Sequence, residues 1–298
     1  MPRFGEVIVQ TWEQPSTLLP SPSVWARSPA SDAITSGFGY CVTADFKTGS
    51  IVRDLTVSST TGTAIAYDAN YDSVVKMTTG TVANTGPNAI ALMAKPLGIP
   101  TTFGPNSYEF EAIVAVNQTT NTEVFIGIGN NVATSTASSL LSAASSTAAS
   151  TNTIQGSVVG FFMHADNSST FDAIYQNGAG GIQTVLASTL QASVFNTAST
   201  QPQLMGMQIG QGQQPPTQPV LGSTDFVKFG LIFSPTGNQF GGLWSYFVNG
   251  VRVCTQQANG YTDNASSYAP VVVVGSVSST ALQSIDVGYV RAAYHANQ

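Results

Sequence analysis

Glu109 and Glu111, two residues apart in SYEFEAIVAV, form the only close acidic pair on a predicted strand. Side chains at i and i+2 of a strand share a face about 6.5–7 Å apart. Glycoside hydrolysis uses two carboxyl groups between about 5 and 9.5 Å apart, one as acid and one as nucleophile or base. The competing reading is a solvated polar face, because Tyr108, Phe110, Ala112, Val114 and Val116 alternate with the two glutamates. The only histidines, His164 and His295, have no Ser, Cys or Glu partner at motif spacing, and Gly-x-Ser-x-Gly and His-Glu-x-x-His are both absent. A surface or loop-end position accounts for each.

Asp166, Asn167, Asp172, Asp263 and Asn264 offer oxygen atoms near predicted turns. Calcium takes about six to eight oxygen ligands. These groups are few and scattered, and turn formation by Asp and Asn explains them as well. No catalytic residue, metal ligand or cofactor is therefore expected. Trp244 and Tyr246 share a predicted strand face and could stack on a sugar ring, although such residues more often fill a core. Tyr261 and Tyr268 are placed where a glycan or another partner could touch them.

The elements that would carry these residues are strands. DFVKFGLIFSPTGNQFGGLWSYFVNGVRV, residues Asp225 to Val253, reads strand, turn, strand, hairpin, strand. Asn249-Gly250 suits the positive φ angles of a type I′ turn. That turn sets Val248 opposite Val251, Tyr246 opposite Val253 and Trp244 opposite Thr255, with Phe247, Arg252 and Cys254 on the other face. Upstream, Gly49 to Tyr67 and Tyr71 to Met77 read as short strands. EVFIGIG, Glu123 to Gly129, reads as a strand of the fully buried type. A three-strand meander spans Ser157 to Ser188, and Pro270 to Ser276 and Ser284 to Tyr294 supply the last strands. Many short strands with turn signals about ten residues apart predict an antiparallel β-sandwich or jelly roll.

Residues 1–35 differ from the rest. Pro15, Pro20, Pro22 and Pro29 favour an extended arm. Trp12, Leu18, Leu19 and Trp25 give that arm apolar weight, either to pack back on its own domain or to clasp a neighbouring subunit. Residues 36–298 form the predicted sandwich domain. Asn131 to Thr153 and Gln201 to Pro219 interrupt it as polar insertions.

Composition narrows the function. Charged residues are 8% of the 298, against roughly 25% in an ordinary globular protein, so Ser, Thr, Asn, Gln and Gly must cover the surface. Such surfaces suit wet contacts with neighbouring subunits. Nine scattered Lys and Arg against fifteen Asp and Glu give −6, which argues against nucleic acid. No apolar run approaches the roughly 18 residues of a membrane span, and the first residues do not form a secretory signal. Cys41 and Cys254, the only cysteines, make neither a disulfide framework nor a metal motif. Cys254 is expected to be a small buried apolar side chain.

The ordered set YEFEAIVAV, EVFIGIGNNVA, GSVVGFFMHAD with TFDAIYQNG, FVKFGLIF with LWSYFVNGVRV, and SIDVGYVRAAY resembles the concanavalin A-like (laminin G/lectin-glucanase) jelly roll. It is most similar to the variants in tailed-bacteriophage virion proteins. The resemblance runs from about Tyr71 to Tyr294 and excludes the arm. Glycoside hydrolases of this fold carry Glu-x-Asp-x-(x)-Glu, which is absent here, so the resemblance implies no enzyme. It implies a virion structural protein made in the host cytoplasm, a decoration or cement subunit on the outer capsid surface. Its partners would be the capsid protein and copies of itself, as a homo-oligomer, a trimer where that matches capsid symmetry. The alternative is a lectin-like module of a tail fibre or capsid surface that binds host glycans.

Overall fold

A computed structural model describes residues 39–44, 46, 55–59, 62–69, 74–80, 88–94, 107–117, 122–130, 158–163, 170–176, 183–191, 226–235, 241–248, 250–259, 268–276 and 282–295. These residues form fifteen strands: β1 (Gly39–Ala44), β2 (Leu55–Ser59), β3 (Ala64–Tyr67), β4 (Val75–Thr78), β5 (Asn88–Ala94), β6 (Ser107–Val116), β7 (Thr122–Asn130), β8 (Val158–Met163), β9 (Thr170–Gln176), β10 (Gln183–Gln191), β11 (Val227–Pro235), β12 (Gly241–Val248), β13 (Val251–Asn259), β14 (Tyr268–Ser276) and β15 (Ser284–His295). They pair into two antiparallel sheets. Sheet A runs β13-β12-β11-β6-β15-β4-β3, with β1 also paired to β15, and sheet B runs β10-β9-β8-β7-β14-β5-β2. The chain passes repeatedly between the sheets, so strands distant in sequence become neighbours. The fold is the expected all-β sandwich of jelly-roll type.

Period-2 alternation builds the core. Tyr108, Phe110, Ala112, Val114 and Val116 of β6 all point inward. They meet Phe229, Leu231 and Phe233 of β11 and Val124, Ile126 and Ile128 of β7. Aromatic rings join the two sheets: Phe161 of β8 lies 5.0 Å from Phe229, and Phe171 of β9 lies at the same distance from Phe229. Phe161 also meets Tyr246 edge-on at 5.7 Å. Each such pair adds about 0.5–1.5 kcal/mol beyond area burial.

The meander β11-β12-β13 forms as the sequence predicts, and Gly250 takes φ 77° in its second turn. Its register is as expected only next to the turn. Val248 faces Val251 and Phe247 faces Arg252, but Tyr246 faces Cys254 rather than Val253, and Trp244 faces Gln256 rather than Thr255. A β-bulge after Arg252 inserts one residue into β13, and Cys254 thereby packs against the core together with Val253.

Both sheets are also closed to solvent on much of their outward faces, where an antiparallel sheet usually meets water. Sheet B presents Phe125, Phe162, Ile174, Val271 and Val273 there, all buried. Sheet A presents charged groups instead, with Glu109, Glu111, Asp286 and Arg291 buried and Lys228 half-buried. That contrast locates the candidate site.

Candidate functional site

The outward face of sheet A carries Glu109 and Glu111 on β6, Lys228 on β11, and Asp286, Tyr289 and Arg291 on β15. The expectation that the two glutamates form a solvated face is corrected here. Glu109 is 6% exposed and Glu111 not at all. Register explains the gathering. Arg291 stands directly across from Glu111 on β15, and on the β11 side Gly230 stands across from Glu111 and places no side chain beside it. Lys228, two residues along β11, shares that face. On β15 a bulge at Gly288 shifts the alternation, so that Tyr289 and Arg291 turn outward while Val290 and Ala292 enter the core.

The Tyr289 hydroxyl donates to the Glu111 carboxylate, and the Arg291 guanidinium lies over the Tyr289 ring at 4.7 Å from its centroid. Burial pushes the Tyr289 hydroxyl well above its ordinary value, and the negative charge of Glu111 pushes it further. Burial lowers Lys228, an effect that Glu111 opposes and Arg291 reinforces. Two carboxylates and two cations thus balance within one patch. A glycosidase pair needs both carboxyl groups turned to a space that admits substrate. Here the better buried one is bound to a tyrosine and faced by arginine, the arrangement of a structural ion cluster.

A second polar group lies where β15 meets β4. Asp286 is 2% exposed, directly across from Lys76 on β4 and Ala115 on β6. It accepts from the Asn117 amide, and burial raises its carboxyl above the ordinary range, with Asp68 adding to the rise and Lys76 opposing it. Lys76 Nζ lies 3.8 Å from Asp68 Oδ2. The Asn117 side chain also donates to Ser284 Oγ at 2.9 Å. Beside it, Thr122 Oγ1 of sheet B donates to Gln283 Oε1 at 2.6 Å, and the Gln283 N–H donates to Thr79 Oγ1 at 3.0 Å. That buried stitch ties the two sheets together.

The aromatic candidates separate. Trp244 and Tyr246 are fully buried in the core, which corrects the glycan-contact expectation for both. Their strand face is the inner one, and the Tyr246 hydroxyl donates to the Ile174 carbonyl across the sandwich at 2.9 Å. Tyr268 begins β14. Tyr261 and the arm residues Trp12, Leu18, Leu19 and Trp25 lie outside the described residues, as do His164, Asp166, Asn167, Asp263 and Asn264. Asp172 sits in β9 and His295 ends β15. No cluster of three metal-ligating side chains occurs among the described residues, and no helix among them is long and apolar enough to cross a membrane.

Sequence reasoning missed Lys228, Tyr289, Arg291, Lys76 and Asp286. Their signal was rarity: in a chain with 8% charged residues, each charge inside a strand needs a partner.

No family model and no curated protein matches the chain. Solved structures similar in chain course include a protein of unknown function from Shewanella oneidensis MR-1, at 9% identity, TM-score 0.46, covering 90% of this chain and 94% of that one. Arcelin-5, a lectin-like defense protein from Phaseolus vulgaris, is similar at 9% identity and TM-score 0.47, covering 87% and 100%. An endo-1,3-beta-glucanase from Streptomyces sioyaensis is similar at 11% identity and TM-score 0.47, covering 87% and 98%.

Proposed function

We propose that this protein is a non-catalytic β-sandwich module that works by attachment through its surface, and that its ligand is a glycan. One observation carries the first half: Glu111, one of the two carboxylates spaced for hydrolysis, is bound by Tyr289 and faced by Arg291. The surface chemistry supports the second half. Arg252, Thr255 and Gln257 of β13 and Tyr67 of β3 are exposed. On β13, guanidinium, hydroxyl and amide groups match sugar hydroxyls, while Tyr67, at the opposite edge of sheet A, would supply a stacking face to a separate contact.

A glycan array probed with the whole chain tests this reading. Binding that is lost in Tyr67→Ala, Tyr261→Ala or Tyr268→Ala, with thermal unfolding unchanged, supports it. Absence of any glycan signal overturns it. Turnover of a polysaccharide that disappears on Glu109→Gln or Glu111→Gln would overturn the non-catalytic half.

A second reading is a decoration or cement subunit on the outer surface of a bacteriophage capsid, favoured by the ordered resemblance of the strand motifs and by the low charge. In it, Trp12, Leu18, Leu19 and Trp25 clasp the capsid protein or another copy of this chain. A subunit that binds only the assembled shell stabilises that shell by linkage. Mixing the protein with undecorated capsids, with and without residues 1–35, tests it: saturable density on the shell that requires the arm supports it, and no attachment overturns it.

A further inference from the structure

β3 ends sheet A, and among the described residues no strand pairs with its far side. Two backbone bonds fix which of its groups point there. In continuation of the β3–β4 register, the Asp68 N–H donates to the Val74 carbonyl at 2.9 Å. On the other side of β4 the Thr79 N–H donates to the Gln283 carbonyl at 2.8 Å. Antiparallel ladders alternate hydrogen-bonded and non-hydrogen-bonded pairs. Ala64–Thr78 and Ala66–Lys76 are therefore the bonded pairs, and Ile65–Met77 and Tyr67–Val75 are not. Ile65 and Tyr67 thus turn their N–H and C=O groups to the open side. β3 has none of the usual guards of an edge: it carries no charge, no proline and no shift of register. The opposite edge of the sheet, β13, has Arg252 and a bulge. Ala64 and Ala66 are exposed. Tyr67, at 40%, and Leu282 are the large apolar side chains exposed among the described residues.

We propose that this edge pairs with the same edge of a second copy, β3 against β3, about a two-fold axis at Ala66. That register sets Ile65 across from the partner's Tyr67 and Tyr67 across from the partner's Ile65, so every outward N–H and C=O group of the two residues meets its counterpart. The side chains then form aromatic–β-branched pairs, a kind that stabilises sheets. Ala66 meets its own copy in the close, non-hydrogen-bonded position, which a small side chain admits. Asp68 falls across from the partner's Ala64, which leaves the two Asp68 residues about 14 Å apart by backbone spacing, past the screening length of about 8 Å. A strand of four residues covers little area, so the dimer depends on concentration. The joined sheet sets one β13 at each far end, so a ligand of β13 meets a bivalent unit. Pairing and glycan stacking compete for the Tyr67 ring, and the test is therefore placed at Ala66, which stacking does not need.

Whole-chain Ala66→Cys and Ala64→Cys variants, oxidised and read by intact mass, locate the axis. In the dimer the two Cα atoms at position 66 lie about 4.5 Å apart, within reach of a disulfide, and those at position 64 about 14 Å apart, out of reach. Ala66→Cys should therefore form a covalent dimer at least about tenfold faster than Ala64→Cys or wild type. Equal rates in the two variants overturn the proposal. Sedimentation of the unmodified chain should show a dimer that grows with concentration and is lost in Ala66→Glu, which sets like charges against each other at the axis. The fold accepts that change, because position 66 is exposed and stands across from Lys76 within the chain. A chain that stays monomeric as its concentration rises, or a dimer that survives Ala66→Glu, overturns the proposal.

Discussion

Tyr289 reaches diagonally across the β6–β15 pair to Glu111, because Tyr289 itself stands opposite Ile113 while Arg291 holds the position directly across from Glu111. The carboxylate thus has one neutral donor and one cation on the same neighbouring strand, with Lys228 on the other side. Removing it strands two positive charges, the buried Arg291 and the half-buried Lys228. Glu111→Ala should destabilise by about 3–5 kcal/mol, and Tyr289→Phe by about 1–2 kcal/mol. A double-mutant cycle by urea unfolding should show coupling between the two, since both changes remove the same hydrogen bond. Additive losses would mean that the contact contributes nothing of its own.

Trp244 and Tyr246 answer to packing. Trp244 lies 5.0 Å from Phe233 by ring centroids and is closed to solvent, so Trp244→Ala should cost about 3–5 kcal/mol. Tyr246→Phe should cost about 1–2 kcal/mol by removing the buried hydrogen bond to the Ile174 carbonyl. Neither change should alter glycan binding once the comparison is made on folded protein. A selective loss of binding in Tyr246→Phe would show that the core placement is not the functional one.

The inward alternation of β6 and the Asn249-Gly250 turn were legible because each rests on a local rule, a period of two and a positive φ. What escaped were insertions of one residue. The bulge after Arg252 has no glycine to announce it, and it shifts every pair beyond Phe247. At Gly288 a strict alternation from Asp286 would send Val290 and Ala292 outward, and the bulge sends Tyr289 and Arg291 there instead. The partners of Glu111 therefore lay hidden in the parity of a strand far along the chain. β5, NAIALMA, was missed for another reason: Ala, Leu and Met are helix formers, and only pairing with β14 and β2 makes them a strand.

Glycine at positions 127 and 160 is required by close approach. The two stand opposite each other on β7 and β8. A Cβ on Gly127 would lie 2.2 Å from the Val159 carbonyl oxygen, and one on Gly160 would lie 2.4 Å from that of Ile126. The Phe125 ring closes over both, 2.9 and 2.7 Å from the same positions. Gly127→Ala and Gly160→Ala should each destabilise by about 1–3 kcal/mol through overpacking, read from the shift in urea midpoint. Phe125→Leu, which shortens the cover, should relieve part of the ring's share of that penalty. No relief in the double variant would assign the whole cost to the backbone contact.

Cys41 and Cys254 cannot reach each other. Cys41 pairs with Ala293 on β15, and Cys254 pairs with Tyr246 on β12. Between β1 and β13 lie β15, β6, β11 and β12, so the separation is roughly 24 Å at about 4.8 Å per strand, far beyond the roughly 7 Å limit for a disulfide. Cys254 is a free thiol, and burial pushes it from 9.0 to about 12. Near pH 8 that leaves about a thousandfold less thiolate than an unperturbed thiol would have. Iodoacetamide should therefore label Cys254 slowly in the folded protein and at the ordinary rate in urea. Intact mass under oxidising conditions should show no loss of two hydrogens from an intramolecular bridge. Fast labelling of folded Cys254 would mean that β13 opens away from the core on the time scale of the reaction. A Cys41–Cys254 bridge would require a different strand order in sheet A.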